Sequence, residues 1–293
     1  MNQSKSYPKV LSIAGSDSSG GAGIQADLKT FSALGVYGAT AITAITAQNT
    51  QGVNSQFALE PQMVYDQIAA VMDDIEPSVV KIGMLSNTAI VEAVAKALHD
   101  YKPSFIILDP VIVSSTGHRL LSIEAQETIK EKLIPIADLL TPNIPEMKAL
   151  TDSPLSSLEE KKEAAQQLFN LGAKAILLKG GHEEGEIKKD YLFFNGLKAK
   201  DKSLKSASVS MSASESVSVY SSETVVTKNT HGTGCTLSSA IAAFIARGLS
   251  LEDAISEAKN YVTEAIRAGA DINIGKGIGP VNHSFNPQKM IVL

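Results

Sequence analysis

The chain has 293 residues, 44% of them hydrophobic and 19% charged, with a formal net charge of −5 at pH 7. This is the profile of an ordinary globular protein with room for one sizeable α/β core. The lysines come mixed with acids, as in SLEEKKEAA and GEIKKDY, which excludes a nucleic-acid binder built on a basic face.

The opening MNQSKSYPKV lacks the apolar centre of a signal peptide, and no stretch approaches the roughly 18 consecutive apolar residues of a membrane span. KVLSIAG (9–15) predicts a buried strand. AGIQADLKTFSALG (22–35) follows as a helix, with Ile24, Leu28 and Phe31 on one face and Gly35 as its stop. ATAITAITA (39–47) predicts the next strand, and PQMVYDQIAAVMDDI (61–75) a helix with Val64, Ile68, Val71 and Ile75 in one stripe. Strands are expected again at 78–84, 104–112, 137–143 and 173–180, with helices at 88–100, 120–134 and 157–171 between them. Ser157 and Glu160 have capping-box spacing, Gly172 stands where a C′ glycine belongs, and two helices (234–248 and 251–268) close the chain.

This alternation predicts a single α/β domain over 1–293, with a mostly parallel sheet covered by helices on both faces. One segment departs from it. Half of the residues in 203–222 are serine, occupying every second position from Ser206 to Ser218. The segment reads either as a low-complexity insert or as a two-stranded flap with Val209, Met211, Val217 and Val219 on one face, and no catalytic residue is expected in it. The single cysteine rules out an internal disulfide and fits a reducing, cytoplasmic setting.

Ligands of such folds gather beyond the carboxyl ends of the strands, which here carry GSDSSGGAG, AQNT, GML, DPV, TPNIPE, KGGH and, before the last helices, THGTGC. SGGAGIQA fits G-x-G-x-x-A, but no acid occurs between Asp27 and Glu60 to hold a ribose, and no P-loop pattern is present. The glycines therefore serve either close backbone approach to a small ligand or a tight strand-to-helix turn. Gly232, Thr233 and Gly234 leave unhindered N–H groups at a helix N-terminus, a site for a phosphate. Cys235 at the same end is expected to have its thiolate favoured, making it a candidate base as well as a core residue. Asp109 and Glu146 are hard oxygen donors suited to Mg²⁺, Asn143 could reach the same ion or a phosphate oxygen, and Lys179 could act as a point charge on nucleotide phosphates. An Asp or Asn after a strand also serves as a turn residue or helix cap. His231 and Cys235 are spaced i, i+4, but His99, His118, His182 and His283 add no ligand cluster, so zinc is not expected.

In order from about residue 8 to 285, AGSDSSGGAGIQADLKTFSALGVYG, TAQNTQGV, KIGML, TPNIPE, LLKGGH, TKNTHGTGCTLSSAIAA and GIGPVNH resemble the hydroxymethylpyrimidine/phosphomethylpyrimidine kinases of thiamine biosynthesis, in the ribokinase-like superfamily. The resemblance implies a central, mainly parallel sheet flanked by helices, a homodimer, and ATP- and Mg²⁺-dependent phosphorylation of a small molecule. It places the pyrimidine near Ala22, Asp27, Gln48 and Met84, with Gln48 on the aminopyrimidine edge. It also makes the GTGC backbone the anion hole and Cys235 the residue facing the acceptor hydroxyl, where sugar-kinase relatives carry an aspartate. Two successive reactions are implied: the alcohol of 4-amino-5-hydroxymethyl-2-methylpyrimidine is phosphorylated, and then the monophosphate. The pyridoxal kinases are a sister group sharing the glycine-rich first loop. Gln48 offers both a donor and an acceptor, whereas the pyridoxal-specific members have an apolar residue there. A non-catalytic ligand sensor on this fold would be expected to lack the anion hole or the acids, and both are present. The serine-rich insert departs from the family, whose members make that connection by a much shorter hairpin.

Overall fold

Runs that are apolar without alternation become strands buried on both faces, because the sheet lies between two helical layers. The computed structural model describes residues 5–113, 120–181, 185–195 and 217–293. In chain order the elements are β1 (Lys9–Asp17), α1 (Gly23–Ala33), β2 (Tyr37–Asn49), β3 (Gly52–Ala58), α2 (Pro61–Asp74), β4 (Val79–Ile82), α3 (Thr88–Tyr101), β5 (Phe105–Leu108) and α4 (Ile123–Lys132). There follow β6 (Leu139–Leu140), α5 (Ile144–Thr151), α6 (Leu158–Asn170), β7 (Ala175–Leu178), β8 (Ile187–Phe194), β9 (Val217–Glu223), α7 (Thr233–Ala246) and α8 (Leu251–Gly269). The strands form one nine-stranded sheet in the order β3-β2-β1-β4-β5-β6-β7-β8-β9. The pairs from β2 to β7 are parallel, and β3, β8 and β9 add antiparallel edges. The mostly parallel α/β sheet expected from the sequence is therefore present.

Neighbouring strand residues serve opposite layers. Leu11, Ile13, Val80, Ile82, Ile106 and Leu108 pack with Ile68 of α2, Val94 of α3, Ile129 of α4, Met147 of α5 and Leu168 of α6. Val10, Val79 and Ile107 pack with Phe31 of α1, Ile241 of α7 and Ile255 of α8. Fully burying each such side chain is worth roughly 1.5–3 kcal/mol, so the double layer fixes the register of the central strands. Chain order turns about β1, which pairs with β2 on one side and β4 on the other. This is the switch point at which open α/β sheets leave a crevice.

Local signals set the helix ends. The Ser157–Glu160 capping box forms, with Ser157 Oγ accepting from the Glu160 N–H at 3.1 Å and Glu160 Oε2 from the Ser157 N–H at 3.0 Å. Several expectations are corrected. The helix expected over 120–134 ends at Lys132 and passes into a 3₁₀ turn (Ile134–Ile136), since Pro135 has no N–H to continue the ladder. The strand expected over 137–143 contracts to two residues, because Asn143 and Glu146 form a second capping box and start α5, a helix that the apolar periodicity did not reveal. β3 was equally hidden, its GVNSQFA pattern being that of a largely exposed edge strand. Of the serine-rich segment, 217–222 lies in β9, where Val219 faces outward and Tyr220 packs against the layer of α7 and α8. Its residues 203–216, with Val209 and Met211, lie outside the described residues, as do His118 and His182.

Candidate active site

The carboxyl ends of the parallel strands open into a cavity of about 500 Å³, closed on its far side by the N-terminus of α7. β1 ends in Asp17, β2 in the Gln48 turn, β4 runs to Met84, β5 to Asp109, β6 to Asn143 and β7 to Lys179, and all of these residues line the cavity. Ala22, Glu146 and Gly232–Cys235 line it too.

The α7 end is built from backbone. Gly232 is the N-cap, in the left-handed region at φ +77°, and no side chain caps the helix. A Cβ at Gly232 would collide with the Gly21 carbonyl oxygen, and a Cβ at Gly23, itself at φ +56°, would collide with the Gly15 carbonyl. The first glycine loop and the α7 turn therefore lie backbone against backbone, which only glycine permits. Thr233 spends its hydroxyl on the Thr230 carbonyl at 2.7 Å. The Thr233 N–H donates to the same carbonyl at 3.3 Å, so the N–H groups of Gly234 and Cys235 are the ones available at the positive end of the helix dipole, the arrangement that binds an anion without a cation.

Cys235 sits in this turn, but not as the favoured thiolate that its position suggests. Burial pushes the thiol up to about 11. Lys81 and the Gly23 N–H pull it down, while the charges of Asp27 and Asp109 oppose them. A dipole of about half a charge does not overcome an enclosed sulfur between two carboxylates.

Asp27, expected at the substrate, is corrected to a position beneath the cavity. It is fully buried on the inner face of α1, and both its oxygens lie 3.0 Å from Lys81 Nζ. It also accepts from Ser12 at 2.5 Å and Ser239 at 2.6 Å, which leaves no face for a ligand. Lys81, missed in the sequence reading, is the partner this acid requires. It lies on the sheet face toward α1 and α7, is fully buried, and has its pKa raised: burial lowers it, but the negative groups around it, Asp27 first, and the hydrogen bond to Asp27 together outweigh that. The clue was present in SVVKIGM, because a lone lysine inside a buried strand needs an acidic neighbour.

On the other flank, Asp109 is held by Lys179 Nζ at 2.7 Å, Thr141 Oγ1 at 3.0 Å and Ser238 Oγ at 3.0 Å. Lys179 is also 3.9 Å from Glu146. Its positive charge is thus shared with two carboxylates rather than standing alone for a phosphate, and both raise its pKa against the lowering effect of burial. Glu146 is pushed up to about 7, by burial first and by Asp109 as well, with Lys179 acting against them. Asn143 uses its side-chain oxygen to cap the Glu146 N–H at 2.8 Å, so any contact with a phosphate falls to its amide. On β8, Asp190 takes Lys259 Nζ at 2.6 Å and the Gly180 N–H at 2.9 Å, tying α8 to the loop after Lys179.

Substrate-side residues are assembled by β1, β2 and the segment before α7. Met84 is buried against the place a Cβ would take at Gly15, and the Ala22 N–H donates to Asp17 at 2.8 Å. Asp17 was not singled out from sequence, and His231 only as a poor zinc ligand. They lie 2.8 Å apart, both buried. Burial would raise the Asp17 pKa, but hydrogen bonds from His231, Ser19 and Ala22 hold it down at about 2. Gln48 reaches to 3.3 Å from His231. Among the described residues no group of three or more His, Cys, Asp or Glu is placed to hold a metal by itself.

The profile of the phosphomethylpyrimidine kinase family matches residues 17–282. The chain is 43% identical over 275 residues to the hydroxymethylpyrimidine/phosphomethylpyrimidine kinase of Escherichia coli (strain K12), covering 94% of this chain and 96% of that one. The crystal structure of phosphomethylpyrimidine kinase from Clostridium difficile 630 superposes with a TM-score of 0.73 at 42% identity, over 88% of this chain and 99% of that one. An ADP complex of Bacillus subtilis pyridoxal kinase superposes with a TM-score of 0.82 at 34% identity, over 95% and 98%.

Proposed function

The chain belongs to the phosphomethylpyrimidine kinase family, and from that premise we infer that it uses ATP to phosphorylate 4-amino-5-hydroxymethyl-2-methylpyrimidine and then its monophosphate, in thiamine biosynthesis. One juxtaposition supports this above all: Gln48 touches His231, the residue that leads straight into the Gly232–Cys235 turn. An amide able to read an aminopyrimidine edge thus adjoins N–H groups able to take a transferred phosphate. Ala22 and Met84 wall the pyrimidine, the α7 turn neutralises the transferred group, and Cys235 accepts the hydroxyl proton. Lys179 and Asn143 contact the nucleotide phosphates.

Asp109 and Glu146 fit Mg²⁺. They are hard oxygen donors that both line the cavity, one on each side of Lys179, which lies 2.7 Å from Asp109 and 3.9 Å from Glu146. They would hold the ion, which when bound neutralises phosphate charge. The chain's own residues orient the acceptor, exclude water and take the proton.

A homodimer accords with the β2–β3 edge, where the cross-strand neighbours Ile45 and Phe57 are 49% and 67% exposed. Phe57→Glu is expected to shift the sedimentation-equilibrium mass from dimer to monomer, and an unchanged mass would remove this face from the interface. The same reading makes 1–293 a single kinase domain. A cytoplasmic location accords with the single cysteine, and no helix among the described residues is long and apolar enough to cross a membrane.

The test is ADP release with Mg·ATP and, in parallel, hydroxymethylpyrimidine, its monophosphate and pyridoxal. The pyrimidines are expected to lead in kcat/KM. A lead for pyridoxal would favour the second reading, which the close superposition on a pyridoxal kinase keeps in view. Gln48→Met is expected to raise KM for the pyrimidine by about tenfold or more while leaving that for ATP nearly unchanged. Equal effects on both would take Gln48 out of the substrate pocket.

A further inference from the structure

His231 Nε2 makes two contacts at once: Asp17 Oδ2 at 2.8 Å and the amide nitrogen of Gln48 at 3.3 Å. The amide oxygen of Gln48 lies 3.2 Å from Thr46 Oγ1, which is itself 2.9 Å from the Ser16 carbonyl oxygen. The two ends of a carboxamide have the same shape, so hydrogen-bonding chemistry decides which way it faces. Asp17 is ionised and only accepts, so the proton between the two residues belongs to His231 Nε2. The imidazole therefore presents N–H at this corner whether it is neutral or charged, and an amide NH₂ beside it sets donor against donor. Thr46 has a single hydroxyl proton, and the closer Ser16 carbonyl can only accept it. What Thr46 then offers Gln48 is a lone pair, against which an amide oxygen is equally mismatched. A half-turn of the carboxamide cures both conflicts.

We propose that Asp17 and His231 are positioning residues for substrate selection: they turn the Gln48 oxygen toward His231 and its NH₂ toward Thr46. One N–H and one oxygen lone pair remain side by side for the cavity. An aminopyrimidine complements this pair, because its exocyclic amine adjoins a ring nitrogen. Pyridoxal does not, because a methyl-bearing carbon separates its hydroxyl from the ring nitrogen. The pair thus controls, through Gln48, which heterocycle is accepted. This rests on Gln48 facing the substrate.

His231→Phe is expected to lower the ratio of kcat/KM for hydroxymethylpyrimidine over pyridoxal by roughly tenfold while KM for ATP moves less than twofold. An unchanged ratio overturns the proposal. Should that variant fail to fold, Asp17→Asn serves: its amide can donate to Nε2, turn that nitrogen into an acceptor and reverse Gln48, so the ratio is again expected to fall. Orientation is read without turnover in ¹⁵N-glutamine-labelled protein, with the Gln48 side-chain signal identified by its loss in Gln48→Met. A nuclear Overhauser effect from that NH₂ to the Thr46 methyl is expected, and one to the His231 ring instead overturns the proposal. If Gln48→Met leaves the pyrimidine KM unchanged, the substrate reading beneath the proposal fails, and the Overhauser result separates that failure from a misassigned amide.

Discussion

Cys235→Ala is expected to lower kcat by roughly two orders of magnitude, the usual loss for a positioned proton acceptor, with little change in either KM. The other bases around the α7 turn are already engaged. Asp109 is bound by Lys179, Thr141 and Ser238, and Asp17 by His231, Ser19 and Ala22. Cys235 remains, in the turn that would hold the phosphate. Its thiol, pushed up to about 11, is protonated at neutral pH. The thiolate fraction, and kcat with it, should therefore rise about tenfold per pH unit between pH 7 and 9. Cys235→Asp, with a carboxylate already ionised there, should flatten that profile. Near-normal turnover of Cys235→Ala across this range would return the residue to a packing role.

Asp27→Ala is expected to cost about 3–5 kcal/mol of stability, because it strands the fully buried ammonium of Lys81 without a counter-charge. Ser12 and Ser239 lose their acceptor as well. Thermal unfolding reads the loss directly. The double variant Asp27→Ala/Lys81→Met should recover most of it, since removing both charges leaves neither group unpaired. A single variant with wild-type Tm and a raised pyrimidine KM would put Asp27 back at the substrate.

The pair Asp27 and Lys81 also marks where sequence reading stops. Strand ends, glycine turns and capping boxes are local, so the parallel strands, most of both helical layers and the cavity wall of Gln48, Met84, Asp109, Asn143, Lys179 and Cys235 were legible from short stretches. Whether an acid points into the cavity or beneath it depends on which helix face meets the sheet, and only five residues separate Ala22, the N-cap of α1 that lines the cavity, from Asp27, which does not. Asp17 and His231 were missed for a related reason: a pair 214 residues apart leaves no mark in local spacing. The Cys235 shift was misjudged because the helix-end dipole can be read from position, whereas the enclosing carboxylates come from distant segments. α5 hid behind two prolines, in a stretch whose capping box was visible but unread.

The close seat of Gly232 on Gly21 bears on how the protein is made. Substrate wall and anion turn come from segments far apart in sequence, Asp17 and His231 being 214 residues apart, so the site is not complete until α7 has docked on the first strand. Closing so long a loop is entropically costly and slow. On a ribosome the site is completed only after α7 has emerged. Ligands that bridge the two ends should then hold together the contact formed last, and slow its reopening.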